Sequence, residues 1–331
     1  MNLKNALTSR SSVVKVGLTI GDPSGIGPAI AIKALSRLKG FAEFTVIGNS
    51  FALRKACPSW KMVLASSGLI DLDNLNQKRF SFGQVKAEYG KASIEYLDKA
   101  IELLLQGKLD CLVTCPISKE AVNLAGFKVS GHTEYLSRAC NSPEPVMLLM
   151  NDQLKFCLLS RHIPLKNVAR HLNYGIIEKT ISLTASGLKK LFLIKHPKFV
   201  VCGLNPHASD NGVIGIEEKK VIIPALERLN NKFKQLSIAG PLSADAAIYQ
   251  ARAGSFDCVV AAYHDQALIP LKLTGFNSGV NLTLGLPFVR TSCLHGTAFD
   301  IAERSARLAD PSSLIAAIKS AVKCTQNLRK A

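Results

Sequence analysis

The chain has 331 residues, 47% of them apolar and 20% charged, enough to bury a large core and long for a single domain. It has no apolar run of about 18 residues, which excludes a membrane-spanning helix. The formal net charge is +17 with only 6% aromatic residues. The lysines are spread over many predicted helices, so the charge reads as solvated helix faces and an anionic substrate, not as a nucleic-acid interface.

Residues 1–11 are expected to form a loose N-terminal extension without the apolar core of a signal peptide, which implies a cytoplasmic protein. Val13 to Ile20 has the pattern of a strand. It runs into Gly21-Asp22-Pro23-Ser24-Gly25-Ile26-Gly27-Pro28 and then a helix over Ala29 to Leu38. Such a turn is either an anion-facing helix N-terminus or simply a tight strand-to-helix connection. It is neither the dinucleotide G-x-G-x-x-G pattern nor a P-loop. A strand is predicted over Phe44–Ile47, a short helix over Ser50–Ala56 and weak strand character over Lys61–Ala65. Lys91 to Gln106 is a helix by its apolar spacing, and Cys111–Thr114 a strand. Ser118 is placed to cap the helix that follows, and Thr133 to cap the next one.

Val146–Met150 and Leu154–Leu159 read as a hairpin across Asn151-Asp152, so the sheet is partly antiparallel. Helices are predicted over Gly175–Leu193, most of Gly215–Asn231, Ala244–Ala253 and Pro311–Leu328. Strands are predicted over Phe199–Leu204 and Cys258–Ala262. Alternating strands and helices predict an α/β fold with a mainly parallel sheet. The nine cysteines form no C-x-x-C pair and several lie in apolar runs, so they read as buried free thiols, not as a zinc site.

Three histidines share one context. His162, His207 and His264 each follow an apolar strand pattern, and ligands of α/β sheets bind beyond the strand carboxyl ends. Three imidazoles there form a candidate set for a divalent metal, with Asp245 and Asp265 as orienting carboxylates. Asp265 could equally be a helix N-cap, because a short helix before Pro270 is possible. Lys272, Asn281 and Arg290 provide two cations and an amide, a set suited to phosphate. His132-Thr133 opens a helix, a second anion-favouring position.

The segments GLTIGDPSGIGP, CPISKEA with GHTEYL, SRHIPL, GLNPHA, YHDQALIPLK and GVNLTLGLPFVRTS with HGTAFDIA together resemble the 4-hydroxythreonine-4-phosphate dehydrogenases of vitamin B6 (pyridoxine) biosynthesis. They occur in that order from about Val13 to Ala302. The resemblance implies two α/β/α domains like those of isocitrate and isopropylmalate dehydrogenases, with the active site in the interdomain cleft. The expected division is 12–130 plus 272–331 for the first domain and 131–271 for the second. It also implies a homodimer whose site is shared between subunits.

The implied reaction is NAD- or NADP-dependent oxidation of 4-phosphooxy-L-threonine, then loss of CO2 to give 3-amino-2-oxopropyl phosphate. Carried over by position, the metal ligands are His162, His207 and His264, one of them from the partner chain; zinc, magnesium, cobalt and manganese all suit them. The substrate contacts are His132, Thr133, Lys272, Asn281 and Arg290. The nucleotide falls to Gly285, Leu286, His295 and Thr297. His132, Asp245 and Asp265 are the candidate catalytic residues, with the general base open between a metal-bound hydroxide, His132 and a carboxylate.

The chain departs from the family pattern in four places. Ala29 stands for an acidic residue, Ser209-Asp210-Asn211 for a Gly-Glu-rich turn, Ala267 for a glycine and Leu294 for an aspartate. Dehydrogenases of D-threonate or D-erythronate phosphates share the motifs, so either is an alternative. A metal-dependent phosphate-ester hydrolase is the alternative from another class.

Overall fold

The computed structural model describes residues 13–129, 131–142 and 145–331; the expected N-terminal extension lies outside the described residues. The chain forms two compact units. The first opens with β1 (Lys15–Thr19), α1 (Gly27–Arg37), β2 (Glu43–Gly48), α2 (Ser50–Ala56), α3 (Trp60–Leu64), β3 (Gly68–Asp71), α4 (Ala87–Leu105), β4 (Cys111–Thr114) and α5 (Lys119–Leu124). Its strands run parallel in the order β3-β2-β1-β4.

Local chemistry sets the helix starts. Asn49 Oδ1 accepts from the backbone N–H groups of Phe51 and Ala52, and Ser118 Oγ from that of Ala121, each satisfying donors that the helix leaves unpaired. Pro28 sits at the start of α1, where its missing N–H is no loss. The weak strand expected near Lys61–Ala65 is instead the helix α3. Only Leu64 of it is buried, and its backbone closes local bonds such as Val63 N–H to Ser59 O, so no strand partner is needed.

The second unit contains α6 (His132–Ala139), β5 (Val146–Met150), β6 (Lys155–Leu158), α7 (Val168–His171), α8 (Tyr174–Phe192), β7 (Lys198–Cys202), α9 (Ile223–Lys232), β8 (Ser237–Leu242), α10 (Ala244–Arg252), β9 (Cys258–Ala261), α11 (His264–Gly275), β10 (Val280–Leu284) and β11 (Val289–Cys293). The chain then returns to the first unit for residues 295–311, including α12 (Ser305–Leu308), and ends in the second with α13 (Ser312–Leu328). The strand order is β11-β10-β5-β6-β9-β7-β8. β6, β9, β7 and β8 are parallel, while β11, β10, β5 and β6 pair antiparallel. The expected hairpin at Asn151-Asp152 is present: Asn151 Oδ1 accepts from the N–H groups of Gln153 and Leu154 and closes the turn.

The expected domain division needs correction at its second crossing. The chain returns to the first unit at His295, not at 272. The reason is pairing: β10 runs antiparallel along β5, Val280 opposite Met150 through Leu284 opposite Val146. α13 packs on β10, β11 and α8 and so belongs to the second unit as well. The first crossing falls between Val129 and Ser130.

Three further elements differ from expectation. α6 is capped by Gly131, with Thr133 buried as its second residue. α11 continues through Pro270 to Gly275, and Thr274 Oγ1 donates to Pro270 O. The helix expected from Gly215 opens with a π turn over Glu218–Ile222, where the Glu218 carboxylate turns inward onto Asn205.

The second unit's core joins Phe156, Leu158, Val200, Val259, Ala261, Ala267 and Leu271, so α11 is held down by the same apolar surface that fixes the central strands. Ala267, a family departure, is fully buried there. The nine cysteines are free thiols. Among the described residues no helix is long and apolar enough to cross a membrane.

Candidate active site

In the second unit the parallel strands deliver the three histidines as their apolar runs predict. β6 ends at Leu158 and the chain reaches His162 through a short turn. β9 ends at Ala261, and His264 is the first residue of α11. The rings of His162 and His264 lie 5.7 Å apart between centroids, inclined at 45°. His264 Nδ1 is 2.7 Å from Asp265 Oδ1. A carboxylate on one ring nitrogen holds the other, Nε2, as a lone-pair donor. Asp265 is therefore not the helix N-cap, which is Tyr263.

His207 follows β7 on a segment of unusual backbone. His207, Ala208, Ser209, Asp210 and Asn211 all have positive φ, between 44° and 70°. Non-glycine residues adopt this left-handed region at a steric cost. The segment includes Ser209-Asp210-Asn211, where the resemblance leads one to expect a Gly-Glu-rich turn. His207 sits beside Asp245, whose carboxyl is held below its ordinary range chiefly by the Ser243 hydroxyl, then by backbone N–H groups and the His207 imidazole. Asp245 also lies in the first turn of α10, where a negative charge is favoured.

Among the described residues no three His, Cys, Asp or Glu side chains come together as a metal ion requires. The chain brings His162 and His264 together, while His207 contributes electrostatically at Asp245. The pair fits a divalent ion in donor type, with neutral imidazole as the ligand and a carboxylate behind one ring.

The proposed phosphate set divides. Asn281 and Thr283 of β10 stand opposite Ser292 and Arg290 of β11, so these side chains share one sheet face. Arg290 is fully buried and its Nη1 donates to Thr283 Oγ1 at 3.0 Å. Burial pulls its guanidinium down from its ordinary value to about 10, opposed by the nearby Cys293 and Glu134. Asn281 is buried, and its Oδ1 has no hydrogen-bond partner. A buried acceptor in that condition is a place for an external donor.

Glu134 brings the start of α6 into this group, so His132 and Thr133 come to the same region as Arg290. Glu134 also pairs with Arg161 at 3.6 Å, beside a cavity of about 300 Å3 that His162, His171 and Lys179 help to line. Neither Glu134 nor Arg161 was singled out by the sequence, although both stand inside quoted motifs. Lys272, by contrast, is exposed, its ammonium 5.6 Å above the Phe276 ring. The structure leaves it outside the buried Arg290–Asn281 face.

The residues assigned to the nucleotide lie in different units. Gly285 and Leu286 form the β10–β11 turn in the second, with φ +97° at Gly285, beside a cavity of about 270 Å3. His295 and Thr297 belong to the first. There the Thr297 carbonyl accepts from Ile26 N–H at 3.0 Å, and a Cβ on Gly25 would stand 2.9 Å from that oxygen. The GDPSGIGP and HGTAFDIA segments thus pack against each other, and close approach explains Gly25. His295 Nε2 is buried without a hydrogen-bond partner.

Residues 21–32 are all buried, as a tight strand-to-helix connection requires. Within it Asp22 Oδ1 accepts from Ser24 N–H at 2.9 Å, while Oδ2 is buried and unpartnered. Burial raises the Asp22 carboxyl from 3.8 to about 7. Ala29 is buried one turn later, an environment that suits an apolar residue in place of the family's acid.

The same conclusion about kinship comes from comparison with known proteins. The family pattern described as "Pyridoxal phosphate biosynthetic protein PdxA" matches residues 32–321. A 4-hydroxythreonine-4-phosphate dehydrogenase of Sulfurihydrogenibium sp. is 42% identical over 322 residues, covering 94% of this chain and 98% of the relative. A D-threonate 4-phosphate dehydrogenase of Salmonella typhimurium is 38% identical over 307 residues, covering 87% and 92%. The crystal structure of a 4-hydroxythreonine-4-phosphate dehydrogenase from Klebsiella pneumoniae superposes with a TM-score of 0.82 at 33% identity, covering 96% of this chain and all of the other. This chain belongs to the PdxA family of pyridoxal phosphate biosynthetic proteins.

Proposed function

We propose that the protein is a nicotinamide-dependent dehydrogenase of 4-phosphooxy-L-threonine that oxidises the substrate and releases CO2, giving 3-amino-2-oxopropyl phosphate. The observation that carries this reading is the buried Arg290–Asn281 face beside the start of α6. A fully buried guanidinium is what a water-excluded phosphate pocket needs, and the Asn281 amide can offer its N–H beside it. Phosphate held there gives binding energy remote from the reacting carbon and positions it. His132 and Thr133 add donors at the helix start, and the exposed Lys272 is the proposed further cation for the phosphate.

His162, His264 and His207 would hold a divalent ion, with one imidazole coming from the second copy. Bound there, the ion would chelate the substrate and lower the pKa of its hydroxyl. Asp265 holds His264 in the tautomer that leaves Nε2 to the ion, and Asp245 lends His207 a negative charge. His132 and these two carboxylates are the candidates to take the hydroxyl proton as hydride passes to NAD or NADP. Gly285, Leu286, His295 and Thr297 are the proposed nucleotide contacts, and His295 Nε2 is a buried nitrogen still to be paired. Tyr249 on α10 and Ile269, Leu273 and Phe276 at α11 are exposed large apolar side chains, which is compatible with a homodimer that covers them.

A second reading has its own support: the D-threonate 4-phosphate dehydrogenases are almost as similar as the 4-hydroxythreonine ones. One assay separates them. Reduced nicotinamide is followed with 4-phosphooxy-L-threonine, 4-phospho-D-threonate and 4-phospho-D-erythronate, each with NAD and NADP and with zinc, cobalt, manganese and magnesium. Turnover of a sugar-acid phosphate without turnover of the amino-acid phosphate overturns the first reading. Phosphate release without nicotinamide would instead support the hydrolase alternative.

A further inference from the structure

The strand ends that carry the three histidines are tied together by side chains. Ala262 lies one residue past β9, beyond the ladder, and is fully buried. Its backbone groups therefore need other partners. Ser160 Oγ, just past β6, donates to Ala262 O at 2.7 Å. Gln266 Oε1 accepts from Ala262 N–H at 2.7 Å. The same amide's Nε2 donates to Gly203 O, just past β7, at 2.9 Å. Two residues on, Asn205 N–H and Nδ2 donate to the two oxygens of the fully buried Glu218, at 2.7 and 2.9 Å.

We infer that Gln266 is a positioning residue that sets the spacing of the histidine-bearing turns, bridging the His264 turn to the one that leads into His207, with Ser160 extending the bridge toward His162. This rests on the metal reading proposed above. Gln266 itself is buried on α11 two residues from His264 and touches backbone at both ends, so it acts through the imidazoles and not on substrate. An amide suits the place because one end must accept and the other donate. A leucine of similar size would leave Ala262 N–H and Gly203 O unpaired in a buried site and free the two turns to shift. Shifts of well under 1 Å matter to a metal-binding set.

The test is cobalt(II) titration of the metal-free protein, read from the visible d–d bands, which report ligand number and geometry. His162→Ala in the wild-type background establishes whether the bands depend on histidine. With a histidine-dependent spectrum in the wild type, Gln266→Leu is expected to bind cobalt at least about ten-fold more weakly and to change the band shape, with circular dichroism unchanged. Gln266→Glu, which keeps the acceptor and loses the donor, is expected to fall between the two. Unchanged affinity and spectrum in Gln266→Leu overturn the inference and leave the metal reading standing. No histidine-dependent spectrum in the wild type overturns the metal reading, and the inference with it. Should Gln266→Leu fail to fold, Ser160→Ala, which removes a single hydroxyl from the same bridge, carries the same two outcomes.

Discussion

Asp265 Oδ1 lies 2.7 Å from His264 Nδ1, on a carboxylate that is itself mostly exposed. The contact fixes one imidazole nitrogen and leaves the other directed to a ligand. Asp265→Asn keeps the size but provides a weaker and reversible partner, so metal affinity is expected to fall about 10- to 100-fold. Stability should change little, because the side chain is exposed. Isothermal titration with zinc, beside a thermal melt, checks both. Equal affinity would show that the pairing has no part in metal binding.

The positive-φ run from His207 to Asn211 stores strain in the segment that presents an imidazole. Ala208 has φ 52° and no side-chain hydrogen bond to lose. Ala208→Gly should therefore stabilise the fold by about 1 kcal/mol, the usual steric penalty of the left-handed region for one residue. Part of that gain is offset by glycine's larger unfolded-state entropy. A denaturant titration showing a higher midpoint at constant slope is the expected result. A lower midpoint would mean that the local methyl packing outweighs the strain.

The sequence was most legible where one physical signal dominates. The apolar runs ending at Leu159, Leu204 and Ala262 placed three histidines at strand ends, and the Asn151-Asp152 turn gave the antiparallel hairpin. What stayed hidden depends on pairing between distant segments. Nothing local in Val280–Leu284 says that it lies along β5, so the return to the first unit was expected too early. Burial of Arg290 was equally invisible, because arginine is read as a surface residue unless its neighbours are known. Gln266 and Glu218 look like ordinary helix residues until the strand ends they tie are seen together. Lys272 belongs to the matched motif, yet its exposure over Phe276 depends on which face α11 turns to the core.

Asp22 makes stability depend on pH. Its folded carboxyl is raised to about 7 by burial, against about 3.9 in an unfolded chain. The folded state then binds the proton more tightly, so stability falls as pH rises. The contribution is fully present below about pH 4 and is lost as pH rises through about 7. A three-unit shift corresponds to at most about 4 kcal/mol. Asp22→Asn keeps an oxygen for Ser24 N–H and cannot ionise. It should melt higher than the wild type at pH 8 and close to it at or below about pH 4. Parallel pH dependence in the two proteins would exclude Asp22 as the source.

Arg290 tests the phosphate pocket most directly. Its guanidinium is buried, bonded to Thr283 Oγ1 and set near Glu134, so removing it strips the cation from that face and leaves Glu134 with Arg161. Arg290→Ala would also open a cavity and damage folding, so Arg290→Lys is the cleaner variant. It keeps the charge and loses the two-pronged geometry that a phosphate accepts. KM for the phosphorylated substrate is expected to rise about 10- to 100-fold, corresponding to about 1.4–2.8 kcal/mol of lost binding. kcat should fall less, since the phosphate is remote from the hydride. The decisive comparison is inhibition by inorganic phosphate. Its inhibition constant should rise in step with KM if Arg290 grips the phosphate group. A raised KM with unchanged phosphate inhibition would move Arg290 from ligand contact to support of the β10–β11 hairpin.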